Sequence, residues 1–209
     1  PNMFRRLFAE GAFAQAFVPV YAKARAVDGA PAADEMASQA LAFIMAVVIA
    51  LCIVAQVAMP LLMPFLLSAY VNDPGMLATA ALMAQLTMPY LACMTLAALL
   101  SGVLNTLGRF ALSAGVPVLL NVCTLVPLLI VPDRHAAALW AAAATTLAGV
   151  LQCALLWWGM ARLKVDLRIG LPVVTKQVKH VLAIAVPGAI AGGAIQLNTL
   201  VSQLLSGSD

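Results

Sequence analysis

Arg-Arg-Leu-Phe-Ala-Glu-Gly-Ala-Phe, at positions 5–13, places three ionisable side chains near the start of an apolar segment, Met3–Tyr21. The segment is long enough to enter a bilayer, because about 20 residues of helix cross about 30 Å of hydrocarbon. An ionisable residue inside a membrane helix costs about 2.5–3.5 kcal/mol even on the lenient insertion scale. Such residues persist where they face a water-filled cavity, a counter-charge or a charged substrate. The stretch therefore predicts a membrane helix, and it makes a polar cavity the first place to look for function.

The three ionisable residues have different opportunities to pair. On a helix Arg6 and Glu10 are four residues apart and share a face, so they can form an ion pair. Arg5 lies about 100° round the helix from Arg6 and lacks that partner. Its planar guanidinium would suit a phosphate group, which it can bind through two parallel hydrogen bonds. On this segment alone the alternative is equally good: both arginines lie at a helix end and extend to the lipid headgroups.

The composition is that of a membrane protein. Of 209 residues 64% are hydrophobic and 9% are charged, whereas a soluble domain carries about 25% charged residues. Six apolar segments can each supply a membrane-spanning helix: about Met3–Ala22, Ala40–Met59 with a weaker continuation to Leu67, Ala80–Leu104, Phe110–Val131, Ala136–Met160 and Val181–Leu205. We therefore predict an all-α, polytopic transmembrane helical bundle. Prolines inside the runs, at positions 60, 64 and 89, should kink or end their helices.

The loops between the segments predict the orientation. Loops after the first, third and fifth segments hold eight basic residues: Lys23, Arg25, Arg109, Arg162, Lys164, Arg168, Lys176 and Lys179. Loops after the second and fourth hold only Arg134. By the positive-inside rule the first set faces the cytoplasm. We expect charged turns at Lys23–Pro31 and Asn105–Arg109, and aqueous loops at Tyr70–Gly75 and Pro132–His135.

Several classes of function are disfavoured. The net charge of +3 is too slight for binding nucleic acid. The two histidines and the four cysteines show no metal-ligand, redox or catalytic spacing, and the cysteines are expected to pack as small apolar residues. We expect neither an enzyme nor a metal site nor a cofactor. The chain begins with Pro and shows no signal-peptide pattern, and we expect it to be an internal piece of a longer protein.

Polar side chains inside the apolar segments are few. They are Gln15, Gln39, Gln56, Gln85, Asn121, Gln152, Gln196, Asn198 and Gln203. The ordinary role of such a residue is an interhelical hydrogen bond, worth about 0.6 kcal/mol in membranes. Mid-membrane prolines can also free backbone groups to line a cavity, as in the broken helices of transporters. Ordinary kinking remains the alternative for these prolines.

A longer match surrounds the opening stretch. Residues 2–20, Asn-Met-Phe-Arg-Arg-Leu-Phe-Ala-Glu-Gly-Ala-Phe-Ala-Gln-Ala-Phe-Val-Pro-Val, resemble the second-helix signature of the MurJ (MviN) lipid II flippases. Further matches follow in order: Pro89-Tyr90, Gly102-Val103-Leu104-Asn105-Thr106 with Arg109-Phe110, Pro117 with Leu120-Asn121, Gly149-Val150-Leu151-Gln152, and Ala185-Val186-Pro187-Gly188 through Gln196-Leu197-Asn198. The resemblance covers essentially the whole chain. It departs from the family at Ala14, where serine is common.

The resemblance implies a fold and a function. It implies a MATE-like fold of the MOP exporter superfamily, with residues 1–209 forming one transmembrane domain, most of the N-terminal lobe of a two-lobed transporter. Such a protein would flip undecaprenyl-pyrophosphate-linked lipid II from the inner to the outer leaflet of the bacterial inner membrane by alternating access, for peptidoglycan biosynthesis. A coupling ion, membrane lipids and cell-wall synthesis or division proteins are further implied partners, and the ion's identity is left open.

The resemblance also implies roles for particular residues. Arg5 and Arg6 fall on cavity positions that would contact the pyrophosphate, with Glu10 forming a gating or positioning pair with Arg6. Asn121, Gln196 and Asn198 are candidates for lining the cavity. Two alternatives stay open: a multidrug or polysaccharide-lipid exporter of the same superfamily, and a membrane scaffold that transports nothing. A drug exporter would favour acidic residues in the spans, whereas the candidates here are net basic.

Overall fold

All regular structure in the described part of the chain is helical. The computed structural model describes residues 12–66, 73–168, 170, 175, 178, 179 and 183. The helices are α1 (Ala12–Val27), α2 (Ala30–Leu66), α3 (Pro74–Thr87), α4 (Pro89–Thr106), α5 (Phe110–Ile130) and α6 (Arg134–Arg162). Among the described residues, four stretches are long and apolar enough to cross a membrane: Ala30–Pro64, Pro74–Thr106, Phe110–Ile130 and Arg134–Arg162. These are the second to fifth predicted spans, and the expected polytopic all-α architecture is confirmed. Residues 3–11 of the first predicted span and nearly all of the sixth lie outside the described residues.

Two helices begin earlier than predicted because carboxylates cap them. The Asp73 side chain accepts a 3.0 Å hydrogen bond from the Met76 backbone N–H, and Pro74 occupies the first turn of α3. Asp133 accepts a 2.7 Å bond from the Ala136 N–H at the start of α6. Each cap satisfies a donor that a helix start leaves unpaired. The predicted loops Tyr70–Gly75 and Pro132–His135 are therefore wrong in their last two residues, which are helical.

The predicted charged turn after the first span is also shorter than expected. Helix α1 continues through Lys23 and Arg25 as far as Val27. The chain reverses only at Asp28 and Gly29, where Gly29 adopts φ +87°, a conformation that costs glycine little. Charged residues are good helix formers in water, so the first of them did not mark the end of the helix. The predicted turn at Asn105–Arg109 likewise contracts, because α4 runs to Thr106.

The internal prolines act differently in the two spans that contain them. The third span is divided at Met88, between the end of α3 at Thr87 and the start of α4 at Pro89, as the sequence predicts. Helix α2 instead continues through Pro60 and Pro64 to Leu66. Of the two outcomes expected for these prolines, ending the helix is wrong, and a kink stays a prediction.

The chain forms two compact units. The first comprises residues 44–163, in which α6 packs on α3, α4 and α5. Gly149 of α6 allows close approach to α4, since a Cβ there would lie 2.7 Å from both Cys93 Cβ and Tyr90 Cδ2. Helix α5 buries none of its residues, which leaves an apolar surface suited to lipid.

The second unit is built from the residues before position 44 and those after position 163. Its described core includes Phe17 and Tyr21 on successive turns of α1, whose rings stack with centroids 5.8 Å apart. These two side chains are 1% and 0% exposed. Small residues of α2, among them Ala33, Ala37 and Ala40, are buried in the same unit. The aromatic pair therefore fixes the face of α1 that turns inward.

Candidate functional site

Most of the predicted cavity residues lie outside the part of the chain that the structure describes. Arg5, Arg6 and Glu10, and likewise Gln196 and Asn198, lie outside the described residues. Their roles stay predictions. Asn121 is described: it lies on α5 with an exposed side chain, one turn before Thr124, whose hydroxyl donates to the Asn121 carbonyl at 3.3 Å.

A buried polar cluster does lie where α1 meets α2. We call it the Asp34 cluster, and it consists of Tyr21, Arg25, Asp34 and Ser38. The Tyr21 hydroxyl donates to Asp34 Oδ1 at 2.8 Å. Arg25 Nη1 contacts the same two groups, at 3.2 Å from the Tyr21 oxygen and 3.4 Å from Asp34 Oδ1. Because Asp34 is only 6% exposed, its charge needs these donors.

The segment that follows α6 joins this cluster through its backbone. The Asp166 N–H donates to Asp34 Oδ2 at 3.3 Å, and the Arg168 N–H donates to Ser38 Oγ at 3.0 Å. Ser38 Oγ in turn donates to the Asp34 carbonyl at 2.7 Å. The charge pattern predicts that the loops after the first and fifth spans lie on one side of the membrane, and these contacts place their described parts together.

A cavity of about 650 Å³ opens beside the cluster. Its lining is Ala30, Pro31, Asp34, Glu35, Ser38, Gln39, Ala42, Lys164, Asp166, Arg168 and Gly170. Three carboxylates and two cations face it, and the two cationic side chains lie on the segment after α6. Arg168 forms an ion pair with Asp166 at 2.6 Å, which holds the pKa of the Asp166 carboxyl below its usual value.

The chemistry of the Asp34 cluster is that of an anchor. Both carboxylate oxygens of Asp34 accept hydrogen bonds from neighbours within the unit. Within the part of the chain that the structure describes, no group of three His, Cys, Asp or Glu side chains could hold a metal ion. The arrangement joins the end of α1, the start of α2 and the segment after α6.

Sequence reasoning did not single out this cluster. In the sequence Tyr21 is only the end of an apolar segment, and Asp34 lies between a predicted turn and the next predicted span. The available signal was Tyr21 and Arg25 on one face of a helix, four residues apart, followed after a short turn by a carboxylate. Their pairing with Asp34 depends on the reversal at Gly29.

The expectation for the glutamines is confirmed for three of them. Gln56 and Gln85 bond between α2 and α3, and Gln152 Nε2 donates to the Val116 carbonyl of α5 at 2.6 Å. Gln39 differs, since its amide donates to Glu35 of its own helix at 3.2 Å. Sequence reasoning also did not foresee that Cys153 Sγ donates to the Cys93 carbonyl at 3.0 Å.

Comparisons with known proteins cover nearly the whole chain. The family model described as lipid II flippase MurJ matches residues 1–208. A protein of Burkholderia cenocepacia named "Lipid II flippase MurJ" is 33% identical over 208 residues, 97% of this chain and 40% of its own length. Proteins named "Probable lipid II flippase MurJ" from Rhizobium tropici and Rhizobium meliloti are 33% and 34% identical, over 99% and 97% of this chain and 40% and 39% of their own lengths. The chain thus spans about two-fifths of the length of these curated relatives.

Proposed function

Because the chain belongs to the MurJ family of lipid II flippases, we propose that it forms most of the N-terminal lobe of a transporter for lipid II. The transporter would move this undecaprenyl-pyrophosphate-linked precursor from the inner to the outer leaflet of the bacterial inner membrane by alternating access. The observation that carries the proposal is the family match over residues 1–208. The four long apolar helices support it, since they make the chain a multi-pass membrane protein.

The chemistry of the cargo explains why a cationic cavity is needed. Carrying a pyrophosphate through hydrocarbon removes its hydration, at a cost of several kcal/mol or more for each charge. Fixed guanidinium groups replace part of that hydration, while the polyprenyl tail stays in lipid. Arg5 is our candidate for the pyrophosphate contact because its planar fork matches phosphate oxygens. A transporter that works in this way requires no catalytic group.

The other cavity residues are assigned supporting roles. Arg6 and Glu10 form the pair that positions the Arg5 region or gates access to it. Asn121, Gln196 and Asn198 line the cavity and offer neutral donors and acceptors to the sugar and peptide. The exposed side chain of Asn121 on α5 is compatible with this role.

The described helices supply the frame. The Asp34 cluster joins α1, whose described residues include the last part of the signature segment, to α2 and to the segment after α6. By the positive-inside rule this junction lies at the cytoplasmic face. A fixed junction at that face gives the cavity residues a rigid support, which precise binding requires.

The test uses the complete protein that contains these residues. In cells depleted of their own lipid II flippase, the wild type, Arg5→Ala and Arg5→Lys are expressed, and membrane levels of each are measured. The readout is lipid II accessible at the outer leaflet. We expect the wild type to restore the signal and Arg5→Ala to abolish it. Arg5→Lys keeps the charge but loses the two-point fork, so it should restore the signal only in part.

Arg134→Ala serves as the matched control, because Arg134 is an exposed arginine at the start of α6, outside the predicted cavity. It should transport like the wild type. If Arg5→Ala works as well as Arg134→Ala, Arg5 is an interfacial anchor and the site assignment is wrong. If the wild type restores no signal at normal membrane levels, the flippase proposal gives way to an exporter or a scaffold.

A further inference from the structure

Two glutamines form a reciprocal pair between neighbouring helices. Gln56 Nε2 of α2 donates to the Gln85 carbonyl of α3 at 2.9 Å, and Gln85 Nε2 donates to the Gln56 carbonyl at the same distance. The residues are 29 positions apart in sequence. The side-chain amide of each glutamine therefore bonds to the backbone carbonyl of the other glutamine.

Each of these carbonyls has lost its helical donor to a proline. In an α-helix a carbonyl accepts from the N–H four residues later. Four residues after Gln56 stands Pro60, and four residues after Gln85 stands Pro89; neither proline has an N–H. An unpaired carbonyl inside a membrane costs several kcal/mol. The pair thus supplies each proline-orphaned carbonyl with a donor from the other helix.

The surroundings of the pair hold the break between α3 and α4 in place while leaving it deformable. The Leu86 carbonyl accepts a 2.6 Å bond from the Thr146 hydroxyl of α6, and Cys52 Sγ of α2 approaches the Met88 carbonyl at 3.5 Å. The adjoining apolar contacts are rich in methionine, with Met59, Met63 and Met88 packed around Ala81. Methionine side chains are unbranched and refill changing gaps easily.

We propose that Gln56 and Gln85 are positioning residues for transport, which couple bending of α2 at Pro60 to bending of the next span at Pro89. The proposal rests on the proposed function for its transport role. A hinge is a short segment that absorbs changes of backbone angle, and here each of two hinges completes the hydrogen bonding of the other. Neither helix can straighten or bend further alone without leaving a carbonyl unpaired. The two spans therefore change angle together.

The predicted topology places this coupled hinge near the middle of the membrane, whose hydrocarbon core is about 30 Å thick. Gln85 lies 11 residues after the start of α3 at Pro74, a rise of about 16 Å at 1.5 Å per residue. Helix α3 begins at the loop that the charge pattern assigns to the outer side. A paired hinge at that depth allows the outer and inner halves of the two spans to change angle relative to each other.

The first experiment is a pair of double-mutant cycles on the complete protein, read as the Tm of purified samples. Gln85→Ala leaves the Gln56 carbonyl without a donor and should lower the Tm. Pro60→Ala restores an N–H to that same carbonyl. Pro60→Ala should therefore raise the Tm more in the Gln85→Ala background than in the wild type, by about 2 °C for one hydrogen bond.

The matched control is the crossed combination. Gln56→Ala removes the donor to the other carbonyl, so Pro60→Ala should raise the Tm equally in the Gln56→Ala background and in the wild type. The mirror cycle uses Pro89→Ala, which restores an N–H to the Gln85 carbonyl. Pro89→Ala should raise the Tm more in the Gln56→Ala background than in the wild type, and equally in the Gln85→Ala background and the wild type. Equal effects in all backgrounds would show that the reciprocal bonds do not form, and would overturn the proposal.

The second measurement separates positioning from stability. The Gln85→Ala/Pro60→Ala variant keeps every carbonyl paired but has lost one hinge and one of the two cross-helix hydrogen bonds, since Gln56 Nε2 still donates to the carbonyl of residue 85. At wild-type membrane levels it should lower lipid II transport by about tenfold, the factor that corresponds to 1.4 kcal/mol. If that variant transports as the wild type does, the pair is structural only and the positioning role is refuted. If the wild type transports no lipid II, the proposed function is refuted and the positioning role with it. The Tm cycles would still show whether the Gln56–Gln85 hydrogen bonds form.

Discussion

The Asp34 cluster makes a strong quantitative prediction, for the substitution Asp34→Ala. The carboxylate is 6% exposed and accepts from Tyr21 Oη at 2.8 Å, from the Asp166 N–H at 3.3 Å and from Arg25 Nη1 at 3.4 Å. Alanine removes the acceptor of all three hydrogen bonds at once. The hydroxyl of Tyr21, whose side chain is 0% exposed, then keeps only the hydrogen bond that Arg25 donates to it.

The expected loss of stability follows from these contacts. A hydrogen bond to a charged group contributes about 1.5–3 kcal/mol, and a buried donor left unsatisfied costs about 1–3 kcal/mol. The Arg25 contribution is smaller, since that side chain is 33% exposed and its ion pair is worth at most about 1 kcal/mol. Contacts that share one carboxylate do not add in full. We expect Asp34→Ala to lower the free energy of unfolding by about 3 kcal/mol.

The assay compares purified variants of the complete protein by thermal or denaturant unfolding in one lipid or detergent. Glu35→Ala is the matched control, because it removes an exposed carboxylate one residue away, which accepts a 3.2 Å hydrogen bond from half-buried Gln39 Nε2 of the same helix. It should change stability by less than about 0.5 kcal/mol. Tyr21→Phe should cost about 1–2 kcal/mol, since Asp34 retains two of its three donors.

The double variant with Tyr21→Phe and Asp34→Ala decides whether the reasoning is right. Once Asp34 is absent, the Tyr21 hydroxyl is a buried donor with little to bond, so removing it should cost nothing more or even restore some stability. Equal losses for Asp34→Ala and Glu35→Ala would refute the cluster as an anchor. Strict additivity of the two single variants would refute the Tyr21–Asp34 hydrogen bond.

Two further predictions concern packing and pH. Gly149→Ala should destabilise the protein by about 1–3 kcal/mol, because the new methyl group would lie 2.7 Å from Cys93 Cβ. The control is Gly115→Ala on α5, whose methyl group would meet nothing within 4 Å. It should be neutral or stabilising in the same unfolding assay. Arg168 lowers the pKa of Asp166, so their pair is intact above the ordinary carboxyl pKa of about 4 and is lost as the pH falls through the lowered value. Both side chains are exposed, so Asp166→Asn should leave the unfolding transition at neutral pH unchanged in high salt, and a clear loss would contradict this.

Helix positions were predictable where hydrophobicity alone decides them. The predicted span Phe110–Val131 matches α5, Phe110–Ile130, to one residue, because lipid-facing helices are apolar all round and end where charge begins. Boundaries set by a local hydrogen bond were harder, as at Asp73 and Asp133. A carboxylate cap lets the helix start inside a polar loop, and hydropathy does not register it.

The polar pairs were not predictable because they join residues far apart in sequence. The spacing of Gln56 to Pro60 and of Gln85 to Pro89 identifies two carbonyls that need donors. Sequence cannot show that each glutamine supplies the other's donor, since that depends on the register of α2 against α3. The same holds for Asp34, whose partner at Asp166 is 132 residues away. The cavity residues at positions 5, 6 and 10 rest on the resemblance and stay predictions.

Four cross-helix polar contacts in residues 44–163 share one chemical form, in which a neutral amide or hydroxyl donor reaches a backbone carbonyl. Gln56, Gln85, Thr146 and Gln152 all bond in this way. Amides and hydroxyls do not titrate near neutral pH, so these contacts hold the membrane helices in register whatever the local proton concentration. The ionisable groups that serve as an anchor or as the predicted binding site lie elsewhere, in the Asp34 cluster and in the predicted cavity. It follows that any pH or ion dependence of transport should map to those ionisable groups, and that neutral substitutions at the four donors should change transport without shifting its pH profile.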